Sequence, residues 1–147
     1  MVTDKDDNET ESFELVQKQI AKALGFPVPT AERIAAKSVG FPSIVVLMVP
    51  LEENGNLETL CLYAAEDKWH LSTALNAFVA ETPTKDWGLS KQSKMKLQTT
   101  LAATCKGCPD TSFANHWFQN AKYRLPLDHA CFDSLVAFLN DFSNLIA

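Results

Sequence analysis

The sequence predicts a helix-rich α+β fold: one domain in which a small antiparallel sheet packs against helices. Three observations point there. Ser43-Ile44-Val45-Val46-Leu47-Met48-Val49 is short, β-branched and apolar on both faces, as a central strand is. Asn54-Gly55-Asn56 supplies turn chemistry, and Leu57 to Ala64 reads as the returning strand, so residues 43–64 are expected to form a hairpin. From Asp67 onward the apolar spacing is helical.

The elements follow in order. Residues 1–9 are aperiodic and polar after Val2 and are expected to form a disordered acidic tail, with the globular domain over 10–147. A first helix runs from about Thr10 to Leu24, with Phe13, Val16, Ile20 and Leu24 on one face and Gly25 at its end. Phe26-Pro27-Val28-Pro29 cannot continue it. Thr30 suits the start of a short second helix through Lys37, with Gly40 as the stop. Beyond the hairpin, Leu71, Ala74, Leu75, Phe78 and Val79 predict a helix over about 67–81. Ser90 opens another, to about Thr104, with Leu97, Leu101 and Cys105 on one side. A helix over 112–123 with Phe113, Trp117 and Ala121 inward precedes the Leu125-Pro126-Leu127 break. Asp128 then caps the strongest helix, 129–146.

A chain of 147 residues with 46% apolar content can bury a core without metal or disulfide staples. No apolar run approaches the ~18 residues of a membrane span. The acidic start lacks the character of a signal peptide, and no lipidation pattern is present. A cytoplasmic protein with four reduced cysteines is therefore expected, with no membrane partner. The net charge of −5 is uneven: residues 85–124 carry Lys85, Lys91, Lys94, Lys96, Lys106, Lys122 and Arg124 against Asp86 and Asp110.

Four features carry chemistry. Cys105 and Cys108 form a Cys-x-x-Cys, the spacing of a redox dithiol or of half a zinc site completed by two of His116, His129 and Cys131. The expected position at a helix C-terminus disfavours a thiolate, and the second half of the zinc set is irregular, so neither metal nor cofactor is expected. The basic segment 85–124, with Trp87, Trp117, Phe118 and Tyr123, suits nucleic acid, but the acidic chain as a whole weighs against that partner. No Gly-x-Ser-x-Gly, phosphate loop or His-Glu-x-x-His is present, so no catalytic residue is assigned.

The last helix is the most informative. Phe132, Leu135, Val136, Leu139 and Ile146 form one stripe, and Phe138, Phe142 and Leu145 widen it to an arc of about 180°, beyond what a surface helix needs for its own core. Phe138, Phe142 and Leu145 are therefore the candidate partner-binding residues, for another protein or a second copy of the chain. The expected function is a non-enzymatic interaction module: an adaptor, an inhibitor or a small chaperone. In profile, a small acidic protein with a sheet and an amphipathic C-terminal helix resembles bacterial secretion chaperones. The alternatives are a thiol- or zinc-dependent activity at Cys105 and Cys108, or a nucleic-acid-associated protein acting through 85–124.

Overall fold

The computed structural model describes residues 1–107 and 124–146. Its contacts fall into two compact units, Met1–Asn56 with Asp133–Ala147, and Leu57–Phe132.

The first unit is built on a strand–helix–strand crossover: β1 (Val2–Asp4), α1 (Glu9–Ala21) and β2 (Leu47–Val49). The strands pair in parallel, Val2 with Leu47 through Asp4 with Val49, and Lys5 N–H extends the ladder by donating to Val49 O at 2.9 Å. Helix α1 starts at Asn8, whose Oδ1 accepts from Glu11 N–H, and Glu9 and Glu11 complement the helix dipole in the first turn. The spacing of Val16 and Ile20 puts both on the buried face, packed with Val46 and Met48 and flanked by Phe13 and Ile44. Burying each such side chain stabilises the fold by roughly 1.5–3 kcal/mol. Leu24, expected on the same face, lies beyond the helix end and is exposed.

This arrangement corrects the antiparallel hairpin expected over 43–64. The sheet among the described residues is two-stranded and parallel, and its second strand comes from Val2–Asp4, a stretch read from the sequence as tail. The proposed return strand is instead helix α2 (Leu57–Trp69). Its buried side chains, Leu60, Cys61, Ala64 and Ala65, recur at helical spacing. The short helix expected over 30–37 is also absent. Arg33 N–H donates to Val46 O at 2.8 Å, and Ala36 and Ile44 exchange both backbone bonds, so the segment pairs along the run before β2.

The second unit contains α2, α3 (Ser72–Glu81), a 3-10 turn (Pro83–Asp86), α4 (Leu89–Thr104) and a second 3-10 turn (Ala130–Phe132). Helices α2 and α4 make its main packing interface, where Leu97, Thr100 and Leu101 are buried. Thr59 and Ser93 join the two helices by a 3.1 Å hydroxyl bond. The single helix expected over 67–81 breaks at His70, which adopts a left-handed φ of 54°. The Glu66 carboxylate bridges the break, accepting from Ser72 N–H at 2.6 Å and Ser72 Oγ at 2.8 Å. The helix expected over 112–123 lies outside the described residues. The last helix, α5 (Asp133–Ile146), belongs to the first unit. No described helix is long and apolar enough to cross a membrane.

Candidate functional site

Helix α5 carries the most unusual surface. Its 14 residues include a wide apolar arc, yet none is fully buried. The expected partner-binding side chains, Phe138, Phe142 and Leu145, are half-buried together with Leu135. The Phe138 and Phe142 rings lie 6.3 Å apart in a tilted arrangement. Beside them runs a second stripe that sequence reasoning assigned to the core: Val136, Leu139 and Ile146, at 48%, 52% and 39% exposure. Periodicity identifies an apolar arc but carries no information on which part of it other residues cover.

Sequence reasoning missed the loop between β1 and α1, because it required Val2–Asp4 to be a strand. In parallel strand–helix–strand units, ligands commonly bind at the carboxyl ends of the strands. Here that end is Asp4-Lys5-Asp6-Asp7-Asn8. Its groups are engaged within the fold. Lys5 is buried and donates to Leu51 O at 2.8 Å, with Glu9 Oε1 at 3.2 Å. Asp6 O accepts from Gly55 N–H at 2.7 Å, and Asn8 caps α1. Among the described residues, no group of three or more His, Cys, Asp or Glu side chains is placed to hold a metal ion.

The cysteine and histidine candidates separate in space and chemistry. Cys105 is buried at the C-terminus of α4, where its N–H donates to Leu101 O; Cys108 and His116 lie outside the described residues. Cys131 donates its thiol to Leu60 O at 3.3 Å. Burial pushes the Cys61 thiol up to about 12, with Glu58 and then Cys131 adding to the effect. A thiol held protonated in this way is a poor nucleophile and a poor metal ligand. His129 has both ring nitrogens engaged. Nε2 lies 2.7 Å from Asp67 Oδ2, and Nδ1 accepts from Cys131 N–H at 3.1 Å. With Nδ1 accepting, Nε2 bears the proton directed at Asp67, and no ring lone pair is left to act as a base or ligand.

Two of the concave surfaces among the described residues of the second unit lie on α2, α3 and α4. A cavity of about 300 Å³ lies among α2, α3 and α4, walled by Leu62, Leu71 and Leu75 and edged by Glu66 and Lys96. Both edge charges have partners, Glu66 in Ser72 and Lys96 in Asn76 Oδ1 at 2.8 Å. On α4 an open groove of about 610 Å³ is lined by Trp87, Lys91, Lys94, Met95 and Gln98. It is the described portion of the basic segment 85–124 that forms a defined surface.

No curated protein and no solved structure matches the chain. The family described as a protein of unknown function (DUF3226) matches residues 1–144, and the chain belongs to that family.

Proposed function

We propose that the protein is a non-enzymatic interaction module whose binding element is α5. One observation carries this reading: a helix with an apolar arc wide enough for a core buries none of its side chains fully and leaves Val136, Leu139 and Ile146 open. An apolar helical stripe in water is a surface to be covered, and another protein chain or a second copy would cover it by laying the stripe into a groove. Phe138, Phe142 and Leu145 form the adjoining edge and the candidate anchors. The engaged ring of His129, one of the residues the zinc alternative would need, supports an interaction role over a zinc-dependent one. A cytoplasmic setting suits the reduced thiols of Cys61 and Cys105.

The test compares two substitutions in the full-length protein. Leu139→Asp changes an open position and is expected to leave the thermal midpoint within a few degrees while abolishing capture of the partner or self-association. Phe142→Ser changes a half-buried position and is expected to lose the same partner with a larger loss of stability. Unfolding of the Leu139→Asp protein, together with a wild type that is monomeric and captures nothing, would overturn the reading.

A further inference from the structure

We propose that the groove on α4 is a second, independent binding surface, for single-stranded nucleic acid. It combines an aromatic platform with cations and lacks competing acids on its helix. Trp87, 45% exposed, stands at the entry to α4 beside Leu89, which is more open still. Lys91 and Lys94, three residues apart, share one flank of α4, and both line the groove together with Trp87, which precedes the helix. Met95 provides apolar floor and Gln98 an amide at the far end. Helix α4 contains Lys91, Lys94 and Lys96 and no Asp or Glu. Lys96 is turned to Asn76, which leaves Lys91 and Lys94 as the groove's own charges, with exposed Lys85 and Asp86 offsetting one another just upstream.

The chemistry of this surface selects its ligand. An exposed indole accepts the face of any nucleobase, and lysines alongside it neutralise backbone phosphates; stacking platforms with flanking cations are how single strands are held without sequence readout. A flexible chain of planar groups and phosphates needs only one open face of this kind. The net charge of −5 weighs against nucleic acid for the chain as a whole, but binding is decided at the surface the ligand touches, and there the charge is positive. The acidic remainder should make the interaction weak and strongly dependent on salt.

The experiment uses the full chain and a fluorescently labelled oligothymidylate of about 12 nucleotides, with anisotropy measured from low to physiological salt. Binding is expected at low salt. With two or three phosphates engaged, log affinity should fall with log salt at a slope of about −1.4 to −2. Trp87→Ala should weaken binding by about tenfold or more through lost stacking. Lys91→Glu with Lys94→Glu should abolish binding and flatten the salt slope. All three positions are on the surface, and unchanged circular dichroism would confirm the fold of each variant. No binding at low salt, or binding indifferent to these substitutions, would overturn the proposal. So would polyglutamate competing as well as the oligonucleotide while Trp87→Ala has no effect, because the groove would then be a general polyanion surface. Loss of oligonucleotide binding leaves α5-dependent protein capture unaffected, so the two sites are judged separately.

Discussion

His129 is held at both ends of its ring: Nε2 meets Asp67 Oδ2 at 2.7 Å, and Nδ1 receives the backbone N–H of Cys131 at 3.1 Å. The ring thus clasps the turn Ala130–Phe132 to the C-terminal part of α2, while Cys131 Sγ donates to Leu60 O about two turns earlier on the same helix. The two bonds differ in worth. Asp67 is 74% exposed, so its pairing with His129 is screened by water, whereas the Nδ1 bond closes a partly buried turn.

Asp67→Ala is therefore expected to cost less than about 1 kcal/mol. His129→Ala should cost more, about 1–2 kcal/mol, by leaving the Cys131 N–H without its acceptor. Denaturant titration of the two variants gives the order, and hydrogen exchange at the Cys131 amide should accelerate mainly in His129→Ala. Equal losses in both variants would show that the charged end of the clasp carries the stability.

The buried thiol of Cys61 predicts a pH dependence. Its folded pKa is raised from the ordinary thiol value to about 12, so between roughly pH 9 and 12 the native state keeps a proton that the unfolded chain has lost. More protons bound in the native state means that stability falls as pH rises. The contribution of Cys61 is complete below about pH 9 and declines by up to about 1.4 kcal/mol per pH unit above it. Urea unfolding of wild type and Cys61→Ala at several pH values should show this component of the alkaline slope only in wild type. The folded protein should also resist alkylation at Cys61 at pH 8, and rapid labelling there would contradict the protonated, enclosed thiol.

Gly25 and Phe41 predict a coupled pair of mutational effects. Gly25 has a left-handed φ of 85°, and a Cβ there would run into the Phe41 ring, which itself lies 5.3 Å from the Phe26 ring. Gly25→Ala therefore combines backbone strain of about 1–2 kcal/mol with displacement of an aromatic side chain. The same substitution in a Phe41→Ala background should cost only the backbone part. A double-mutant cycle with additive effects would show that the ring moves aside freely.

The sequence exposed some elements far better than others, for physical reasons. Helices α1 and α4 lie within a few residues of their expected ranges because an apolar stripe recurs within one segment: Val16 and Ile20 for one, Leu97 and Leu101 for the other. The segment Leu57 to Ala64 fitted two templates at once. Its apolar density suits a strand, while the positions of Leu60, Cys61, Ala64 and Ala65 fit a helix, and the helix prevailed because it packs against α4. Strand β1 was illegible for another reason. Val2-Thr3-Asp4 has one apolar residue and no period of its own, and it is a strand only through Leu47–Val49, 45 residues away. The arc on α5 was legible as Phe138, Phe142 and Leu145 with their neighbours, but its coverage depends on tertiary surroundings. The α4 groove was visible only as a broad basic stretch, until the turn at Trp87 placed the indole beside Lys91 and Lys94.

Lys5 has a further consequence for how copies of the protein meet at high concentration. Among the described residues, β1 pairs with β2 on one side and has no strand on the other, leaving a rim of backbone that an incoming extended segment can template on. That rim is three residues long. Immediately after it the Lys5 ammonium turns inward to Leu51 O, and Asp6 takes a left-handed φ of 54° that swings the chain out of the extended path. A segment stacking along β1 would run out of ladder after one short stretch. The sheet edge is thus blunted at Lys5 and Asp6, where the ladder ends and the chain leaves the extended path.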